Sequence, residues 1–165
     1  GAIAKFSPVM QAVTKYANQG GKVLGICNGF QVLTEAGLLP GALKRNESLH
    51  FLSKHHHLQV VSNDNVFLKE LNNGDIVNVP IAHHDGNYYI DAEGLKELYA
   101  NNQVLLKYCG AHGEEKNPNG SVDAIAGVCN KEKNVFGLMP HPERAMEKLL
   151  GSDDGVKMLQ GFLQA

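Results

Sequence analysis

The stretch Lys22 to Gln31, KVLGICNGFQ, constrains this chain more than any other. It runs from a short apolar, β-branched segment into Gly25-Ile26-Cys27-Asn28-Gly29 and then into a helix-forming run, so a cysteine sits at a strand-to-helix turn. A side chain on such a turn projects clear of the sheet, beside the backbone amides that open the next helix. Those amides lower a thiol pKa and bind a developing oxyanion. The glycines at 25 and 29 are expected to leave room for the turn. A nucleophile in this position requires a base, and the rest of the chain is read for one.

The elements around the turn follow from pattern. Ser7-Pro8 reads as an N-cap and first helical position, and Val9, Met10, Val13, Tyr16 and Ala17 fall on one helical face before Gly20-Gly21. Lys22 to Cys27 reads as a buried parallel strand, and Phe30, Val32, Leu33 and Ala36 as a helix that ends near Gly37. Residues 38 to 47 read as turn and loop. Strands are expected over Ser48 to Ser62, Ile76 to Ala82, Tyr88 to Asp91, Val104 to Cys109, Ile125 to Cys129 and Val135 to Met139. A weak helix covers Gly94 to Ala100, and Ser152 or Asp153 caps a closing helix through Val156, Met158, Leu159 and Leu163. The alternation of helix and strand at the start gives an α/β class with a parallel sheet, and the strand-rich middle an antiparallel excursion on the same domain.

At 165 residues, 43% hydrophobic and 19% charged, this is one globular domain's worth of chain. A net charge of −2 without a Lys/Arg stripe gives no phosphate-tracking surface and no membrane-binding patch, so neither nucleic acid nor membrane is an expected partner. The three cysteines make no disulfide framework, no apolar run reaches the length of a membrane span, and no signal peptide is legible. The cytoplasm is the expected compartment.

A thiol becomes a working nucleophile when an imidazole holds it as thiolate and a third group orients that imidazole. His141 is the candidate base. It follows the apolar strand Val135 to Met139, which carries it to a sheet edge where such sites cluster. Glu143 lies two residues on; in an extended segment it points the same way and reaches one ring nitrogen while the other faces Cys27. Cys27, His141 and Glu143 thus form the expected triad. A metal site at His55-His56-His57 is not expected, because successive strand residues alternate faces and cannot converge on one ion. Cys109 and Cys129 lack both a glycine elbow and a His-x-Glu pair, and read as core thiols.

Gly25-Ile26-Cys27-Asn28-Gly29-Phe30-Gln31 together with His141-Pro142-Glu143 resembles the class I, triad-type glutamine amidotransferases. The run Cys27 to Ala42, Arg45-Asn46, Ile81-Ala82-His83 with Gly86-Asn87-Tyr88-Tyr89, Asn117 to Ser121 and Met139 to Ala145 narrows the resemblance. It is that of the small glutaminase subunits of phosphoribosylformylglycinamidine synthases, which serve purine synthesis. The resemblance implies a flavodoxin-like three-layer sandwich with a mostly parallel sheet, residues 1–165 forming a single amidotransferase domain. It implies that Cys27 attacks glutamine, His141 moves the protons, Glu143 holds His141 and the Asn28 amide serves as an oxyanion donor. Gln31, His83 and Gly86 take the substrate-binding positions, although His83-His84-Asp85-Gly86-Asn87 departs from the usual His-Gly-Glu-Gly-Asn.

The implied partner is a large synthetase subunit with a small accessory subunit. ATP and magnesium are expected on the synthetase, and no cofactor or metal on this subunit. Family members carry an initial strand, a second βα unit and a glycine-rich loop that gives the other oxyanion amide. Gly1-Ala2-Ile3-Ala4 resembles the residues after that loop, so the domain is expected to be N-terminally incomplete as written. A glutaminase serving another amidotransferase and a non-catalytic docking subunit are the competing expectations.

Overall fold

A computed structural model of the chain describes residues 6–164. The expectation placed on Gly1 to Ala4 lies outside them. Ser7 caps α1 (Pro8–Asn18): its side chain accepts from the Met10 amide at 3.1 Å, and Pro8 occupies the first turn, where its missing N–H is no loss. Of the apolar face expected there, only Ala17 is buried; Val9 and Tyr16 are 71% and 55% exposed. β1 (Val23–Ile26) then leads through Cys27 into α2 (Asn28–Glu35).

The middle of the chain is β-rich. β2 (Ala42–Lys44) falls in a stretch read as loop, because its three residues become a strand only by pairing with the distant β5 (Asn87–Tyr89). β3 (Leu52–Val60) is shorter than the expected 48–62 segment, and β4 spans Ile76–His83. After α3 (Ala92–Ala100) come β6 (Val104–Cys109), β7 (Ile125–Cys129) and β8 (Val135–Leu138), with α4 (Asp154–Leu163) closing the described chain. The Ser152 hydroxyl accepts from the Asp154 amide at the start of α4, while Asp153 makes no side-chain cap.

Six strands form one sheet in the order β1-β8-β7-β6-β3-β4. Only β1 and β8 run parallel among the described strands; the other four pairings are antiparallel. The sheet of this α/β fold is therefore mixed, and the antiparallel excursion reaches further than the opening helix-strand alternation suggests. A parallel crossover needs a dozen or more connecting residues, usually helical, whereas β7 and β8 are joined by a turn of five. Leu58, Val79, Phe67 and Phe136 belong to one apolar cluster, and in the other Phe30 and Leu33 of α2 pack with Tyr88 and Val128. The sheet curls: Cys27, just past one edge strand, touches Ala82 on the strand at the opposite edge. That closure makes the site.

Candidate active site

Cys27 adopts φ 54° and ψ −109°, a conformation that side-chain-bearing residues rarely take and that is kept here by the strand before it and the helix after it. Its amide bonds Leu138 O at 2.8 Å, fastening the elbow to β8. The two glycines contribute differently. A Cβ on Gly25 would lie 2.5 Å from Leu33 Cδ1 and 2.8 Å from the Gly29 backbone, so Gly25 lets strand and helix approach; a Cβ on Gly29 would meet nothing within 4 Å.

The free edge of β4 is the frame of the site. Pro80 has no N–H to offer a further strand, and three alternate positions along this edge are used by the other elements. The Asn78 amide donates to Asp154 Oδ2 at 2.6 Å, Pro80 O accepts from the His141 amide at 2.8 Å, and Ala82 O accepts from the Cys27 thiol at 3.6 Å. Carbonyls two residues apart on one strand edge lie about 7 Å apart. The thiol and the histidine backbone are thereby brought to neighbouring positions, although over a hundred residues separate them in sequence.

His141 is 7% exposed, and its Nδ1 stands 2.6 Å from Glu143 Oε1. A carboxylate only accepts, so Nδ1 carries the proton and Nε2 is left with its lone pair, without a hydrogen-bond partner among the described residues. The pairing expected of an extended His-x-Glu segment is made instead within a 3₁₀ turn over Pro142–Arg144. Burial raises the Cys27 pKa. The Asn28 amide and the Arg144 guanidinium oppose that rise, while the Glu143 carboxylate adds to it. The Asn28 amide opens the first turn of α2 directly after the thiol, the position in which an oxyanion donor is expected.

The three residues expected to bind substrate are placed differently from the triad. Gln31 is half-buried, and its side-chain amide donates to Glu35 Oε1 at 3.4 Å, one turn further along α2 and away from the thiol. Gly86 is buried, and both its backbone groups are engaged: its N–H donates to Asn46 Oδ1 at 3.1 Å and its carbonyl accepts from Asn119 Nδ2 at 2.8 Å. A Cβ there would run into the His83 ring, which explains the glycine by packing. His83 is 3% exposed and lies within the same network, its Nε2 3.1 Å from Asn119 Nδ2.

Sequence reasoning passed over the residues that build this network. Asn46 Nδ2 donates to His50 O and His83 O, both at 2.8 Å, and Ser121 Oγ donates to Asn119 Oδ1 at 2.8 Å. The Asn-Pro-Asn-Gly-Ser turn was the available signal. Side-chain amides in such a loop exist to satisfy backbone that no sheet reaches.

Of the three consecutive histidines, His56 is buried edge-on to Tyr108 at 5.4 Å, while His55 faces outward, as strand alternation requires. A cavity of about 560 Å³ lies between Ala17, Leu38, Gln103 and Asn134, beside the β7–β8 turn and so at the end of β8 remote from the thiol.

Residues 2–155 match the family model of a CobB/CobQ-like glutamine amidotransferase domain. The chain is 82% identical to the phosphoribosylformylglycinamidine synthase subunit PurQ of Sulfurimonas denitrificans, over 100% of this chain and 74% of that protein. It is 68% identical to the PurQ subunit of Wolinella succinogenes, over 98% of this chain and 72% of that one. A chain in the structure of PurLQS from Thermotoga maritima superposes with a TM-score of 0.87 at 42% identity, covering 99% of this chain and 71% of that one. A further glutamine amidotransferase from Thermotoga maritima, 16% identical with a TM-score of 0.55, shares the fold alone. With the family model matched along nearly all of its length, and with PurQ subunits of such identity among its relatives, the chain belongs to the CobB/CobQ-like glutamine amidotransferase family.

Proposed function

We propose that this chain is the glutaminase subunit of a phosphoribosylformylglycinamidine synthase. It hydrolyses L-glutamine to glutamate and ammonia, and hands the ammonia to a synthetase subunit that converts formylglycinamide ribonucleotide to its amidine with ATP. The observation that carries this reading is the convergence, on the edge of β4, of a strained thiol and a histidine whose tautomer is set by Glu143. The family match and the PurQ relatives give that convergence its substrate.

Cys27 attacks the side-chain amide carbon of glutamine, and its proton passes to Nε2 of His141. His141 then protonates the leaving nitrogen, which departs as ammonia and leaves a thioester on Cys27. Water completes the cycle, with His141 as base. The Asn28 amide stabilises the oxyanion formed at each addition, an effect of about 10²–10³ in rate per donor. Glu143 keeps the proton on Nδ1 and steadies the imidazolium. ATP and its magnesium belong to the synthetase, and this subunit works without a cofactor or metal of its own. No helix among the described residues is long and apolar enough to cross a membrane, and we place the complex in the cytoplasm.

The decisive measurement is glutamate release from glutamine, with and without the synthetase subunit, in the native chain and in Cys27→Ala. Release that depends on Cys27 and rises with the partner supports the assignment. Equal release by Cys27→Ala, or none in the complex of the native chain, refutes it and favours a docking subunit without catalysis.

A further inference from the structure

Three buried imidazole nitrogens have no hydrogen-bond partner among the described residues. One is Nε2 of His56, and the other two belong to residues tied to or following the edge of β4 that holds the thiol: Nε2 of His141 and Nδ1 of His83. Their characters are opposite. At His141 the proton sits on Nδ1, opposite Glu143, so Nε2 is an acceptor. At His83 the assignment runs through Asn119. Its Oδ1 accepts from the Ser121 amide at 3.2 Å and hydroxyl at 2.8 Å, and its Nδ2 donates to the Gly86 carbonyl at 2.8 Å, which fixes the orientation of the amide. Nδ2 has one hydrogen left, for which His83 Nε2 at 3.1 Å is nearer than the Tyr108 hydroxyl at 3.3 Å, and a ring nitrogen that accepts there leaves the His83 proton on Nδ1. One buried ring thus offers a free lone pair and the other a free N–H.

The rings are neighbours. His141 is tied to Pro80 O and the Cys27 thiol to Ala82 O, three residues and one residue before His83 on β4. Burial pushes the His83 pKa down to about 4, and a second proton on His141 would push it the same way, so His83 is a neutral donor at neutral pH. No direct hydrogen bond joins the two rings, so a small molecule that accepts from one and donates to the other satisfies both. Water does this, and a buried polar pair with no other partner is where a protein holds one.

We infer that His83 is a further catalytic residue of this site: its Nδ1–H holds the water that Nε2 of His141 deprotonates during hydrolysis of the Cys27 thioester. This rests on the glutaminase reading above. The water oxygen uses one lone pair on His83 and attacks the thioester carbonyl carbon with the other, while its proton passes to His141 Nε2. Collapse of the tetrahedral adduct breaks the carbon–sulfur bond, glutamate leaves, and the proton returns from His141 to the Cys27 sulfur. Formation of the thioester needs no such water. His83 therefore acts on the second half-reaction alone.

Two substitutions separate this role from scaffolding. The side-chain amide of His83→Gln reaches the Nε2 position and keeps the contact with Asn119, but has nothing at Nδ1; that of His83→Asn places an N–H at Nδ1 and gives up Asn119. With the chain assembled on its synthetase, rapid-quench measurements follow ammonia and glutamate, and intact mass follows the thioester on Cys27. In His83→Gln, the first equivalent of ammonia appears at the native rate, glutamate release slows about 10-fold, and the thioester accumulates. In His83→Asn, which keeps an N–H at the Nδ1 position, glutamate release keeps pace with ammonia release and no thioester accumulates, whatever the loss of Asn119 does to both steps together. Native hydrolysis in His83→Gln, or equal loss of both half-reactions in the two variants, overturns the inference.

A high-resolution structure of the native complex gives a check without substitution. A water bonded to both nitrogens supports the assignment, and its absence there overturns it. Failure of the glutaminase reading itself shows up separately, as absence of Cys27-dependent ammonia release in the native complex.

Discussion

Gly155, in the first turn of α4, is where a distant helix meets the catalytic segment. Its amide donates to Ala145 O at 2.8 Å, and the neighbouring Asp154 accepts from Asn78 on β4, so α4 presses residues 142–145 onto the sheet edge. An added Cβ would stand 2.8 Å from Ala145 O and closer still to Pro142 O, both of them backbone atoms that cannot rotate aside. Ordinary contact begins at 3.4 Å, so Ala145 O alone demands a retreat of 3.4 − 2.8 = 0.6 Å, and Pro142 O demands more. The segment that moves carries Glu143 and adjoins His141, and misplacing a catalytic group by about 1 Å is worth about 10²-fold in rate.

Gly155→Ala should therefore lower kcat for glutamine hydrolysis by about 10²-fold, with a stability loss of about 1–3 kcal/mol from overpacking. Gly161→Ala is the control. Its Cβ meets Val66 O at 2.7 Å and Phe67 O at 3.2 Å, on the same helix but away from residues 142–145, so it should cost similar stability and spare kcat. Steady-state glutaminase assays on the complex, run well below the melting transition of each variant, measure this. A Gly155→Ala enzyme with kcat within about threefold of native, or an equal loss in Gly161→Ala, would refute the view that α4 positions the histidine segment.

Two further outcomes follow from the site. Cys27→Gly relieves the positive φ, a strain of about 1–3 kcal/mol, and gives back about 0.5–1 kcal/mol in chain entropy. It should be inactive yet more stable than native by about 1 kcal/mol in urea unfolding, and a variant less stable than native would show that the elbow is not strained. His83, at about 4, and His56, also held below 6.5, both bind protons more readily in the unfolded chain. Their stabilisation is complete above about pH 6.5 and is withdrawn as pH falls toward 4. His83 alone should account for about 2 kcal/mol of stability lost between about pH 7 and about pH 5, so urea titrations of His83→Asn should show a shallower pH dependence than native; identical slopes would contradict the burial argument.

Much of this site is legible in the chain because it is local. Gly25, placed where β1 must touch α2, and Ser7-Pro8, which satisfies and omits amides within one helical turn, act over a few residues of sequence. The strands Val104–Cys109 and Ile125–Cys129 were readable end to end, since apart from Lys107 each is apolar and both are bounded by polar turns. The candidate triad was legible as a combination of residue types: an elbow thiol, a histidine after a strand and a carboxylate two residues further on.

Tertiary structure decided what depends on residues far apart. The pairing that makes Ala42–Lys44 a strand joins it to residues 87–89, and no local pattern carries that information. The outward faces of Val9 and Tyr16 depend on what packs against α1, and helical periodicity says only that they share a side. Gln31 could be placed on the helix but not aimed, because Glu35 competes for its amide. His83 and Gly86 could be placed next to each other in the chain but not tied to Asn46 and Asn119, which reach them from two other loops. Sequence thus supplied the candidate reacting groups and their spacing along the chain. The curl of the sheet, which brings its two edges together at Cys27 and Ala82, set the distances among those groups, because reactivity depends on approach in space and only long-range packing fixes that.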